Sequence, residues 1–160
     1  MNPDKHAFSD SLTEQVLAAV FEVSNTLGAG FLEKVYERAL LRELGLRGLR
    51  TTAQAAFVVK YKGFAVGEYF ADILVEDTPM VELKCVDRLA NEHTAQCLNY
   101  LKVSGRTVCL LVNFQRPKVE WKRIVLDFQI ATRLSLIRVH QRPIRLFPAY
   151  STAIVTPAGL

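Results

Sequence analysis

The sequence predicts an α/β (α+β) fold: a mixed β-sheet flanked by helices, with elements in the order ααβββαββ. Three observations carry this. Apolar residues recur at helical spacing in two blocks near the N-terminus and in a third near residue 95. Five β-rich runs, bounded by glycine, proline and turn residues, fill the remainder up to residue 128. At 160 residues, half of them apolar, the chain is long enough to bury one core without disulfides or a structural metal.

Ser11 and Glu14 form an S-x-x-E capping box that predicts the start of the first helix. Leu12, Val16, Ala19, Val20, Val23 and Leu27 follow at helical spacing. Gly28–Gly30 stop that helix and turn the chain. A second helix is expected from about Phe31 to Leu44, with Leu32, Val35, Ala39 and Leu40 on its buried side and Gly45 and Gly48 closing it. Extended segments are expected over about 55–62, 66–76 and 79–86, the last two joined by a turn at "EDTP". A helix over 90–103 ends at Ser104–Gly105, and β-rich runs at 107–114 and 121–128 complete the domain. Residues 129–160 lack clear periodicity and contain Pro143, Pro148 and Pro157, which predicts a loosely packed or extended tail.

The charge is unevenly placed. Residues 1–127 hold all sixteen Asp and Glu and all but four of the twenty Lys and Arg, so the net +4 comes from Arg133, Arg138, Arg142 and Arg145. A basic tail suits an acidic partner or nucleic acid, and scattered solvated arginines explain it equally well. No apolar run approaches the ~18 residues of a membrane span, and the N-terminus has no signal-peptide core. Cys85, Cys97 and Cys109 lie inside apolar elements without a CxxC pair, which reads as reduced core thiols of a cytoplasmic protein.

"FADILVEDTPMVELK" (70–84) is where charge sits at a cost. Asp72 and Glu82 lie among core-like residues and are equidistant from Asp77 in the turn. A hairpin in that register sets the two carboxylates opposite each other, ~5 Å apart at Cβ. Lys84, two residues on, shares the face of Glu82. Such carboxylates both stay ionised only if a cation joins them, and a hard ion such as Mg²⁺ takes carboxylate oxygens, a carbonyl and water. Lys84 could orient or deprotonate water, or stabilise charge on a phosphate. A surface hairpin with a Lys–Glu pair would show the same spacing.

Asp72 with Glu82-Leu83-Lys84 resembles the core of the PD-(D/E)XK nuclease superfamily. "GFLEKVY" (30–36) resembles the G-x-x-E-x-x-Y signature of one group within it, and "HTAQCLNYL" (93–101) that group's H-x-A-Q-x-x-N-Y-L helix. The resemblance covers about residues 10–127. It implies a restriction-endonuclease-like core with Asp72, Glu82, the Leu83 carbonyl and Glu33 as metal ligands. It also implies Lys84 as catalytic lysine, with Gln96 and Tyr100 lining the site. Ala71 stands where the motif has proline, a position that shapes the strand and supplies no ligand.

Single residues have plainer readings. Tyr36 is expected to pack with its hydroxyl tied to a neighbour, and Trp121 to pack in the sheet. His93 is read as a substrate contact or as an exposed residue near a helix start. Lys60, Lys62, Lys122 and Arg123 could follow a phosphate backbone or form a wet strand face. The expected function is a Mg²⁺-dependent phosphodiester hydrolase, with Mn²⁺ able to substitute, acting on nucleic acid, DNA above all. The alternatives are a catalytically silent nucleic-acid- or protein-binding module on the same fold, and an interaction protein. A homodimer or a protein partner remains open, and no membrane partner is expected.

Overall fold

Two tight turns with left-handed backbone set the architecture of the sheet. Lys62 and Gly63 hold φ of 48° and 85°, and Glu76 and Asp77 hold 45° and 64°. Paired positive φ is the geometry whose twist matches a tight hairpin. Asp tolerates it but it is unfavourable for Glu, and the second turn is tied down at that residue. Thr78 N–H donates to the Val75 carbonyl at 3.0 Å. Glu76 accepts the Arg50 backbone N–H at 2.7 Å and pairs with its guanidinium at 2.9 Å.

The computed structural model describes residues 3–126, with side chains from residue 10 onward. The elements are α1 (Pro3–Leu27), α2 (Glu33–Leu46), β1 (Thr51–Tyr61), β2 (Phe64–Val75), β3 (Met80–Lys84), α3 (Asn91–Ser104), β4 (Val108–Asn113) and β5 (Glu120–Val125). The strands form one sheet in the order β1-β2-β3-β4-β5. β3 and β4 are parallel and the other neighbours antiparallel. α3 makes the crossover between the parallel pair, which a hairpin turn could not. This is the predicted mixed sheet and element order.

Helices cover both faces. Val81 and Leu83 of β3 pack with Val16, Val20, Tyr36 and Leu40 of α1 and α2. Met80, Cys109 and Leu111 pack with Cys97 and Leu101 of α3. A strand buried on both faces needs apolar residues at every position, so the charges inside "MVELK" are exceptions to the packing. All three cysteines are free thiols, Cys97 and Cys109 buried and Cys85 half-buried.

Three expectations need correction. α1 begins at Pro3 and runs through Ser11. Proline is well tolerated in a helix's first turn and nothing between it and Ser11 breaks a helix, so the S-x-x-E pattern marks no boundary. α2 starts at Glu33, with Leu32 outside it in extended conformation and 79% exposed, and Val35 is also exposed. The buried stripe is Tyr36, Leu40 and Leu44 at i, i+4 and i+8, one step round from the expected face. Gly45 lies inside this helix, and the left-handed turn that follows is at Gly48. The expected boundary at 128 and the tail 129–160 lie outside the described residues.

The α1–α2 connection is latched by Tyr36. Its hydroxyl donates to the Gly28 carbonyl at 2.7 Å and accepts the Phe31 N–H at 3.3 Å, and its ring stacks on Phe114 at 4.5 Å. Gly30, at φ 103°, makes the turn that a β-carbon would strain. Tyr36→Phe should therefore lower stability by about 1 kcal/mol in urea denaturation, with the ring still in place and the helix-start residue Glu33 undisturbed.

Candidate active site

The β2–β3 register puts the two acids where the turn spacing predicts. Leu74 faces Met80 and Ile73 faces Val81, and one step further along the same register lie Asp72 and Glu82. There the ladder gives way to a side chain: Asp72 Oδ2 accepts the Leu83 N–H at 2.8 Å. On the other side, β1 runs on through Gln54 with a left-handed backbone, its φ being 49°. Pairing stops between Ala53↔Ile73 and Ala55↔Ala71. Gln54 Nε2 reaches Asp72 Oδ1 at 3.3 Å and Glu37 Oε2 at 3.1 Å. The chain twists at this point, so Ile73 joins the α1/α2 core while Ala71 joins the α3 side. Asp72 thus sits at a dislocation between two regular stretches of sheet, held by a backbone N–H and an amide.

Glu82 is 3% exposed. One oxygen, Oε1, lies 2.6 Å from Lys84 Nζ. The other, Oε2, is buried without a hydrogen-bond partner. Burial, reinforced by the Asp72 charge, pushes the Glu82 carboxyl up to about 7. Burial also raises Asp72, against the Leu83 N–H and Gln54, which favour its charge. Glu33, first residue of α2, is raised by burial as well, with the Cys85 N–H and Lys84 opposing it. For Lys84, burial pulls downward, but the hydrogen bond and charge of Glu82, with Glu33 and Asp72, outweigh it and hold the ammonium above its usual value.

On α3, Gln96 Nε2 donates to the Tyr100 hydroxyl at 2.5 Å, one helical turn away as the spacing predicts. Burial and the nearby Glu82 charge push the Tyr100 phenol up to about 12, so it stays protonated. His93 has a local task. Its Nδ1 accepts the Ala90 N–H at 2.9 Å, closing the start of α3. Leu83, expected to offer a carbonyl, gives its N–H to Asp72.

Three contributors escaped the sequence reading. Gln54 bridges Asp72 to Glu37, and an amide in "TTAQAAF" gives little signal beyond its polarity. Glu37, one turn after Glu33 on α2, is buried and paired with Lys34 at 2.6 Å; that i, i+4 spacing was legible. Asn113 clamps the chain just beyond Lys84, accepting the Val86 N–H and donating to the Val86 carbonyl at 2.7 Å.

The donor set fits a hard divalent cation. All donors are oxygen, the acids around Lys84 outnumber it, and Glu82 Oε2 is a buried acceptor left without a donor. Among the described residues no three Asp, Glu, His or Cys side chains are grouped so as to hold a metal ion by themselves. Gln54→Ala should free the Asp72 carboxylate and weaken Mn²⁺ affinity on the order of 10-fold in calorimetry, the size expected when a ligand's outer support is lost.

A family model described as the PD-(D/E)XK nuclease superfamily matches residues 10–124. No curated protein matches the chain. Similar solved structures include an alkaline exonuclease (LHK-Exo) from Laribacter hongkongensis, with 20% identity and a TM-score of 0.46. The match covers 64% of this chain and 59% of that one, less than two-thirds of its length. The same protein in complex with dAMP gives 20%, 0.47, 64% and 59%. SSO0001 gives 18% identity and a TM-score of 0.47 over 88% of this chain and 72% of that one.

Proposed function

The chain belongs to the PD-(D/E)XK nuclease superfamily, and on that premise we propose that it is a Mg²⁺-dependent nuclease acting on DNA, with Mn²⁺ able to substitute. The observation that carries this reading is Glu82 Oε2, a buried carboxylate oxygen with no donor, on a strand whose register faces Asp72. A fold gains nothing from an orphaned buried acceptor, and leaving one costs roughly 1–3 kcal/mol. We place the protein in the G-x-x-E-x-x-Y group, since Gly30, Glu33 and Tyr36 have distinct tasks: a strained turn, an acid beside Lys84, and the latch between helices.

Asp72 and Glu82 would hold the ion, with the Leu83 carbonyl, and Glu33 directly or through water. When bound, the ion supplies Lewis-acid stabilisation of the phosphate and acidifies water. Lys84 stays an ammonium and stabilises charge developing on the phosphodiester, in preference to acting as a base. Tyr100, whose phenol feels the Glu82 charge, and Gln96, bonded to it, would act as neutral positioning groups. We leave His93 out of this set because its Nδ1 is committed to the start of α3. We also place the protein in the cytoplasm, where its three thiols stay reduced; no helix among the described residues is long and apolar enough to cross a membrane.

Titrating Mg²⁺ and Mn²⁺ into wild type and Asp72→Asn tests the ion site. Wild type should bind weakly and the variant not at all; equal binding removes the site. Residues 129–160 are proposed as a separate basic arm, so a chain ending at residue 128 should fold and bind Mn²⁺ as the full chain does. Its affinity for DNA should fall and lose part of its salt dependence. An insoluble truncation would assign the tail to the core.

A further inference from the structure

The β1–β2 hairpin runs well past the acids and carries large apolar side chains into solvent. Residue pairs facing each other across the strands share a face. Phe57 faces Tyr69, Val59 faces Gly67 and Tyr61 faces Phe64, while Val66 is the extra residue of a bulge between them. β1 itself alternates regularly here, which puts all three pairs on one face. That face is the α3 side, because Tyr69 packs edge-on against Tyr100 at 5.6 Å and Phe57 packs on the α3-side core.

A strip therefore leads away from the acids: Tyr100, then Tyr69 with Phe57, then Tyr61 with Phe64 at the tip. Cations accompany the rings. The Arg106 guanidinium lies 5.3 Å from the Phe57 centroid and Lys62 Nζ 5.4 Å from that of Tyr61. Glu68 is the only acid in residues 51–71, and its partner Val58 sets it on the opposite face. The outermost rings are freely accessible, Tyr61 being 63% and Phe64 77% exposed. From Phe57 to Tyr61 the strand rises ~13 Å.

Exposed rings interleaved with cations, one hairpin wide and continuous with the acids, fit bases that are not paired. Stacking on a protein ring needs an open π-face, which a base inside a duplex lacks, while gripping a duplex backbone takes a broader basic surface. We propose that this strip is the track for an unpaired nucleic-acid strand, so that the site takes single-stranded substrate or the single-stranded end of a duplex. The inference rests on the nuclease reading above and names its substrate class.

The test measures binding of a labelled single-stranded oligonucleotide and of a blunt duplex of the same sequence, in EDTA, to wild type and to Tyr61→Ala/Phe64→Ala. Both substitutions are at exposed positions, and thermal denaturation checks that the fold is kept. The single strand should bind at least about 10-fold tighter than the duplex. The double variant should lose on the order of 10-fold for the single strand, with Mn²⁺ affinity unchanged. Equal binding of strand and duplex, or a double variant that binds like wild type, overturns the track. So does a wild-type dimer in sedimentation that the double variant abolishes while strand affinity is untouched, which would make the face a contact between copies. Cleavage with Mg²⁺ in the same samples separates the two readings. Strip-dependent binding without cutting removes the nuclease and keeps the track, and cutting with strip-independent binding does the reverse.

Discussion

Lys84→Ala is expected to lower the cleavage rate by a factor on the order of 10² or more while Mn²⁺ affinity changes little. That is the loss usually seen when one preorganised charged group is taken from a reacting centre. The lysine is well placed for it. Its Nζ is 2.6 Å from Glu82, it is largely buried, and three carboxylates hold it charged. In such a site an ammonium acts at shorter range and with less screening than on the surface. Gln96→Ala should cost less, because its amide orients Tyr100 and carries no charge. Single-turnover rates and calorimetry on the same preparations separate these roles. A Lys84→Ala protein that cuts at the wild-type rate would reduce the lysine to a partner for Glu82.

Glu82→Gln should make the metal-free protein more stable at pH 8 and abolish its response to Mn²⁺. A carboxyl held at about 7 in place of 4.5 corresponds to roughly 3 kcal/mol against its ionised form. The sign follows from proton binding. The folded chain holds this proton more tightly than the unfolded chain, so the cost is absent near pH 4. It grows as pH rises from about 4.5 to about 7 and is complete above that. The Lys84 ion pair is already contained in that value, so the gain at pH 8 reaches about 3 kcal/mol. Denaturation in EDTA at pH 5 and pH 8 should therefore show the variant close to wild type at the lower pH and ahead of it at the higher. Adding Mn²⁺ should stabilise wild type alone. A variant that is less stable at pH 8 would mark Glu82 as part of the fold's support.

What could be read from the sequence follows from what was local. The "EDTP" turn fixes a hairpin register, and with it the confrontation of Asp72 and Glu82, because turn spacing and strand alternation need no knowledge of the rest of the chain. Lys84 follows from strand alternation, whereas Gln96 and Tyr100 came from the resemblance to the family's helix motif, their i, i+4 spacing only setting them on one face. Gln54 was hidden because its role depends on a left-handed backbone inside a strand, a conformation to which Gln has no local preference. Leu32 and Val35 were placed on the wrong face because the entry of α2 is set by the Tyr36 latch to Gly28, a contact made across the turn. The aromatic strip on the hairpin is legible only once cross-strand pairing and the bulge at Val66 are known. Its residues read individually as an ordinary strand.

One cleavage panel decides whether Asp72, Glu82 and Lys84 form a hydrolytic site. Labelled single-stranded, duplex and branched DNA and single-stranded RNA are incubated with wild type and with Glu82→Ala, in Mg²⁺ and then in Mn²⁺. Wild type should cut in a cation-dependent way, and Glu82→Ala, which has the same purification history and so controls for contaminating nuclease, should not. Wild type that cuts none of these substrates, or cuts them no faster than Glu82→Ala, would contradict that site.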